Sequence, residues 1–195
     1  MSTLNEYLGE KRQAIAARRS CIAAGEGVPM TLTARVRAEG RSGIRRIRIR
    51  DFQVISDSEA DFAGYDLGPS SPELQLGVLG SCLTRTFLIQ AATLGVPLDS
   101  LELEITGIID PRAGSPGFED VPIHPHEIRY AVFIASSAAL AEIRVLREAG
   151  AQLPDPEFAA PAASDCGRGP ADPGRGRLVS APRLIRRRGR RARRR

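Results

Sequence analysis

Ser71-Pro-Glu-Leu-Gln-Leu-Gly-Val-Leu-Gly-Ser-Cys-Leu-Thr84 is the stretch whose reading decides the fold. Ser70 or Ser71 can cap a helix here. Pro72 fits the first turn, where a missing N–H costs nothing. Glu73 complements the positive end of the helix. The apolar run then continues to about Leu94, where Gly95 and Pro97 stop it. The spacing therefore predicts a long helix. Gly77, Gly80, Ser81 and Thr84 recur at i, i+3, i+4 and i+7, a stripe of small residues that predicts close packing against a second helix. Cys82 sits in the middle of this helix. A thiolate is the reactive form of cysteine, so a reactive thiol needs a stabilising neighbour and an open approach. Arg85, three residues on and on the same side, is placed to supply the first. Glu73 lies nine residues before Cys82, about 900° around a regular helix, and so on the opposite face. Cooperation between them requires a bend, an intermediary or a second subunit.

Upstream, residues 3–22 space Leu4, Tyr7, Leu8, Ile15 and Ile22 as one face of an amphipathic helix, ended by Gly25, Gly27 and Pro29. Residues 31–39 alternate as a strand, Gly40-Arg-Ser-Gly43 is a turn, and Ile44 to Ile55 alternates again. The arginines of this region read as a solvated or partner-facing sheet surface. Residues 56–69 are polar and read as a loop. Downstream, Leu101 to Asp110 alternates as a strand and residues 111–125 form a loop. Glu127 to Ala135 reads as a further strand, and a helix follows from about Ala138 to Ala149, capped by Ser136 or Ser137. Helix, strands, long helix, strands, helix is an α+β order with antiparallel sheets.

The totals exclude several classes. The net charge of +5 is misleading, because residues 168–195 hold 12 of the 28 basic residues and one acid, Asp172. That tail is +11, so the rest of the chain is −6. No disulfide framework or zinc spacing appears among three distant cysteines. The N-terminus does not read as a signal peptide, and the apolar run from Tyr130 to Ala141 is too short to span a bilayer. The expectation is a soluble cytoplasmic protein with no membrane partner. His124 and His126 lack further nearby ligands, so no metal is expected, and Cys21 reads as inert.

The cysteine segment, followed by Leu94-Gly-Val-Pro-Leu-Asp-Ser-Leu-Glu-Leu-Glu-Ile105, resembles the OsmC/Ohr family, whose first cysteine sits in a similar Gly-Ser-Cys-Leu-Thr context. Pro116-Gly-Phe-Glu-Asp120 resembles its inter-strand loop. The likeness covers roughly Thr31 to Ala149. It implies an OsmC-like fold: antiparallel sheets around long central helices in an intertwined homodimer, with active sites at the interface. It also implies a thiol-dependent peroxidase that reduces organic hydroperoxides in oxidative-stress defence. Cys82 would be the peroxidatic cysteine, oxidised to a sulfenic acid. Glu73 matches the family's assisting glutamate. Arg41 resembles the arginine of the Ohr branch, which sits in a similar Gly-Arg-x-Gly turn. No bound cofactor is implied, only an external thiol or dithiol reductant. By themselves Glu73 is a helix-start acid, Arg41 a solvated turn residue and Arg85 a solvent-facing side chain.

One departure stands out. The family's second cysteine follows the last helix and resolves the sulfenic acid, yet Gly150 to Ala160 contains no cysteine. Cys166 follows in unrelated sequence. Shifting the possible codons of Ala151 to Pro161 by one nucleotide permits Ser-Cys-Pro-Ile-Leu-Asn-Ser-Leu-Arg-Arg, which looks like the missing segment. A frameshift near residue 150 is the resulting expectation, testable on the coding DNA. The expected organisation is an N-terminal helical extension (1–28), an OsmC-like domain (29–150) and a disordered Pro/Gly/Arg-rich tail (151–195). The rival reading is a catalytically impaired, dimeric OsmC-like binding protein. Nucleic-acid binding is expected only nonspecifically, through the tail.

Overall fold

The computed structural model describes residues 3–41 and 43–151. The expectations for Cys166, for the frameshift and for the tail fall on residues outside that range. The element order is α1 (Leu4–Ala23), β1 (Ala34–Glu39), β2 (Ile44–Ile49), β3 (Phe52–Ser56), α2 (Ser71–Leu94), β4 (Ser100–Ile108), β5 (His126–Ala135) and α3 (Leu140–Ala151). Strands β1-β2-β3 form one antiparallel sheet and β4-β5 a second. The α+β order with antiparallel sheets is the one the sequence predicts.

Two strand expectations are corrected. Ile44 to Ile55 is two strands, not one. The chain reverses at Arg50-Asp51, with Arg50 at φ 55 and Ile49 opposite Phe52. Such a tight reversal needs a left-handed residue, and here a non-glycine supplies it. The first strand begins at Ala34 rather than at residue 31.

Helix α2 is the centre of the molecule. Its ends are built as the sequence dictates. The Glu73 carboxylate accepts hydrogen bonds from the Ser70 backbone N–H and hydroxyl, both at 2.7 Å. Gly95 ends the helix at φ 77 and donates to Ala91 O at 2.9 Å. One face of α2 lies on the second sheet, where Leu83, Phe87, Ala91 and Ala92 are buried. Phe87, only 1% exposed, packs in the core with Leu8, Val96, Leu98 and Leu146. The alternating Leu101, Leu103, Val132 and Ile134 close the core from the sheet.

Of the two glycines in the small-residue stripe, Gly80 meets a strand within this chain rather than a second helix. A Cβ added at Gly80 would sit 3.0 Å from Ile105 of β4, so Gly80 admits a strand, not a helix. Gly77 faces open space. Helix α1 runs antiparallel along α2. Asn5 Oδ1 accepts from Leu98 N at 2.8 Å, and Arg12 Nε donates to Ala92 O at 2.7 Å. The Arg12 cation also complements the negative end of α2.

A latch ties the first sheet to the loop that precedes α2. Arg45 donates to Ser58 Oγ (3.1 Å), Ser56 Oγ (3.2 Å) and the Asp57 carbonyl (2.6 Å). Asp57 is fully buried, and its Oδ2 accepts from Tyr65 N and Leu67 N at 3.1 and 3.3 Å. Burial pushes this carboxyl up. The N–H groups of Ser58, Tyr65 and Leu67, with the Arg45 guanidinium, together outweigh that and hold it below the usual carboxylate range. A carboxyl whose folded pKa is depressed contributes stability above its unfolded pKa, and that stability is lost as pH falls through the folded value. Asp57→Asn is therefore expected to lower the melting midpoint at neutral pH. The gap to wild type should narrow only below the ordinary value of 3.8. Melting curves across acid pH check this, and a gap indifferent to pH contradicts it.

Candidate active site

Cys82 lies mid-way along α2, on the face turned away from the β4-β5 sheet, and its residue is exposed. The helix sets this orientation: Leu83 and Phe87 take the buried face, and Cys82 with Val78 takes the open one. Its carbonyl accepts from Thr86 Oγ1 at 3.1 Å, and Gly80 O accepts from Thr84 Oγ1 at 2.8 Å. Two side-chain hydroxyls thus bond back onto the turn that carries the thiol. Arg85 is exposed on the same open side.

Glu73 sits at the first turn of α2, about 13 Å along the axis from Cys82 at 1.5 Å per residue. Its hydrogen bonds to the Ser70 hydroxyl and N–H hold its carboxyl below the ordinary value. Within one chain Glu73 is thus a capping carboxylate. Arg41 is exposed in the β1–β2 turn, between Gly40 at φ 68 and Gly43 at φ 70. Among the described residues no hydrogen bond or ion pair joins Cys82, Glu73 and Arg41. One chain displays all three without assembling them.

A cleft of about 500 Å³ opens between α2, β5 and α3, lined by Phe87, Tyr130, Ala131, Val132, Arg147 and Glu148. Cys82 is not among its lining residues, so the cleft does not serve the thiol within a single chain. Among the described residues, no three His, Cys, Asp or Glu side chains gather to hold a metal ion. His126 opens β5, its Nδ1 3.4 Å from His124 O. No helix among them is long and apolar enough to cross a membrane.

The first sheet carries one feature that sequence reasoning missed. One face of the first sheet carries Ala34, Val36, Ala38, Ile47, Ile49, Phe52 and Val54, with Arg45 and Ser56 in its end row, and is largely apolar yet open. Val36 is 61% exposed and Phe52 62%. Val78, one turn before Cys82, is 66% exposed. The change of alternation phase between Ile49 and Phe52 was the available signal, because it places both on one face only if a hairpin intervenes.

Solved structures give the fold a name. The chain superposes on an OsmC-like protein from Mycoplasma pneumoniae with a TM-score of 0.54, at 16% identity, over 65% of this chain and 85% of that one. The chain has the OsmC-like fold. A protein from Psychrobacter arcticus, assigned provisionally to osmotic stress and detoxification response, matches with a TM-score of 0.51 at 18% identity. That match covers 66% of this chain and 87% of its counterpart. No family model matches the sequence, and no curated protein does. The OsmC-like fold therefore rests on backbone geometry, and the cysteine motif supplies the chemical content.

Proposed function

We propose that this OsmC-like protein is a thiol-dependent peroxidase for organic hydroperoxides, active as a homodimer in oxidative-stress defence in the cytoplasm. The observation that carries the reading is the exposed Cys82 thiol, held rigidly at the centre of the long helix in its Gly-Ser-Cys-Leu-Thr setting. The Cys82 thiolate attacks the distal oxygen of ROOH. The S–O bond forms as the O–O bond breaks, and the alkoxide takes a proton to leave as ROH. The sulfenic acid condenses with an external thiol, releasing water. A second thiol, or the other arm of a dithiol, then restores Cys82 and leaves as a disulfide. No metal or bound cofactor enters the cycle. Glu73 and Arg41 are proposed to orient the peroxide.

The dimer supplies what one chain lacks. The open apolar face of the first sheet and the exposed Val78 are surfaces a second copy would cover. Glu73, on the opposite face of α2 from Cys82, would then serve across the interface. Phe52→Asp is expected to convert the dimer to monomer and to abolish turnover, checked by analytical ultracentrifugation alongside peroxide assay. An unchanged sedimentation coefficient would remove the proposed interface.

Steady-state loss of cumene hydroperoxide with dithiothreitol tests the activity itself. The rival reading, a dimeric binding protein without turnover, is favoured by the absence of cysteine from Gly150 to Ala160. It predicts ligand retention with no peroxide loss.

A further inference from the structure

The strand register gathers arginines on the side of the first sheet opposite its apolar face. Arg35 stands directly opposite Arg48, and Arg37 opposite Arg46. Seven of the sixteen basic residues that precede the tail fall between Arg35 and Arg50. Four of them gather on this one face, in a body whose net charge is −6 without its tail. Like charges directly opposite each other on a sheet are destabilising. Glu39 offsets part of this, at 2.9 Å from Arg46 and 3.8 Å from Arg37. Arg46 also donates to Gln53 at 2.9 Å. Arg35 and Arg48 have no carboxylate partner among the described residues, and both are exposed. One uncompensated cross-strand arginine pair, beside a second that a single carboxylate only partly offsets, is a cost to folding that an anionic partner would remove.

We propose that this face docks double-stranded nucleic acid through its phosphodiester backbone. Its arginines line neither the cleft between α2, β5 and α3 nor the one between α1 and the end of α2. Residues i and i+2 of a strand are about 6.7 Å apart. That is comparable to the through-space separation of successive phosphates along one strand of a duplex, so Arg35 and Arg37 can meet neighbouring phosphates. No aromatic residue lies on the face, so base stacking contributes nothing and single strands gain no advantage. Its only isoleucines, Ile44 and Ile55, are half-buried at one end, so it offers no apolar anchor for a lipid surface. The apolar face proposed for dimerisation is the other one, so both contacts can form together. The surface is independent of the peroxidase reading.

The test uses the full chain, so the basic tail contributes equally to every variant. Binding of a short labelled duplex is followed by anisotropy between about 50 and 200 mM salt. Arg35→Gln/Arg37→Gln/Arg48→Gln is compared with wild type and with Arg18→Gln/Arg19→Gln/Arg144→Gln, an equal charge change at exposed positions elsewhere. The first variant should weaken binding at least tenfold. It should also reduce the slope of log K against log salt by about 2 to 3, at roughly 0.9 per lost phosphate contact. The control should keep the wild-type slope. Melting midpoints of the first variant should match or exceed wild type, since like-charge repulsion is relieved. Equal slopes for all three proteins overturn the proposal. So does a variant that keeps its duplex binding and loses only its binding to phosphatidylserine vesicles, which would assign the face to a membrane surface.

Discussion

Cys82→Ser is expected to reduce hydroperoxide consumption to the uncatalysed background, a loss of at least ~10³-fold in kcat/KM, as removal of a sole nucleophile does. Serine keeps the shape of the side chain and its place on the open face of α2. The fold should be unaffected, because Cys82 takes no part in the core. The melting midpoint should therefore stay within a degree or two of wild type, which separates loss of chemistry from loss of structure. Cys21→Ser serves as the matched control. Cys21 is also an exposed free thiol, but it sits on α1 and outside the motif. Its replacement should leave the rate unchanged. Equal rates in wild type and Cys82→Ser would remove the peroxidase reading and leave the OsmC-like fold as a binding scaffold.

Phe87→Ala is expected to be the most damaging single truncation for stability. The ring is 1% exposed and contacts groups from α1, α3 and the β4-β5 sheet through the shared core. Removing a buried phenylalanine costs about 3–5 kcal/mol, from lost transfer energy and the cavity left behind. For a domain of this size each kcal/mol lowers the midpoint by about 2–4 °C, so a fall of about 10 °C is expected. Against a total stability of about 5–15 kcal/mol, that brings the domain near its unfolding threshold. Gly150→Ala attacks the same packing from the other side, because its new Cβ would overlap the Phe87 ring. The two substitutions should not be additive: in Phe87→Ala the space for a Gly150 side chain already exists. Thermal denaturation of the two single variants and the double variant measures this coupling. Additive losses would mean that Gly150 and Phe87 do not share one packing site.

These predictions rest on parts of the chain with very different legibility. Helix α2 could be read directly because its punctuation is local. Ser70, Pro72 and Glu73 start it, and Gly95 with Pro97 ends it. Strands β4 and β5 were equally plain, since one apolar face repeats every second residue, although the register shift between Thr106 and Ile108 was not legible. The β2–β3 hairpin was not, because Arg50-Asp51 carries none of the glycine or asparagine that marks such turns, and Arg50 takes the left-handed conformation itself. Asp57 was invisible for another reason. Its partners are backbone N–H groups of Tyr65 and Leu67, and no side-chain pattern announces a backbone partner. Gly80 was misassigned because a small residue permits close approach without saying what approaches.

For the site, spacing alone put Cys82 and Glu73 on opposite faces of α2, and the structure keeps them there. Arg41 was placed in its turn by the flanking glycines, both of which take positive φ. The proposed assembly of the three depends on a second copy, and no reading of a single chain supplies that geometry. The arginine face was legible as composition, but its cross-strand pairing needed the register.

Reaction of Cys82 with a peroxide is the step on which the proposed function depends. Reduced wild-type protein should be mixed anaerobically with one equivalent of an organic hydroperoxide, and the products followed by peroxide loss and by peptide mass. The expected result is rapid, stoichiometric loss of peroxide with one oxygen added at Cys82 and none at Cys21. Oxidation no faster than in Cys82→Ser, or spread equally over both thiols, would contradict it.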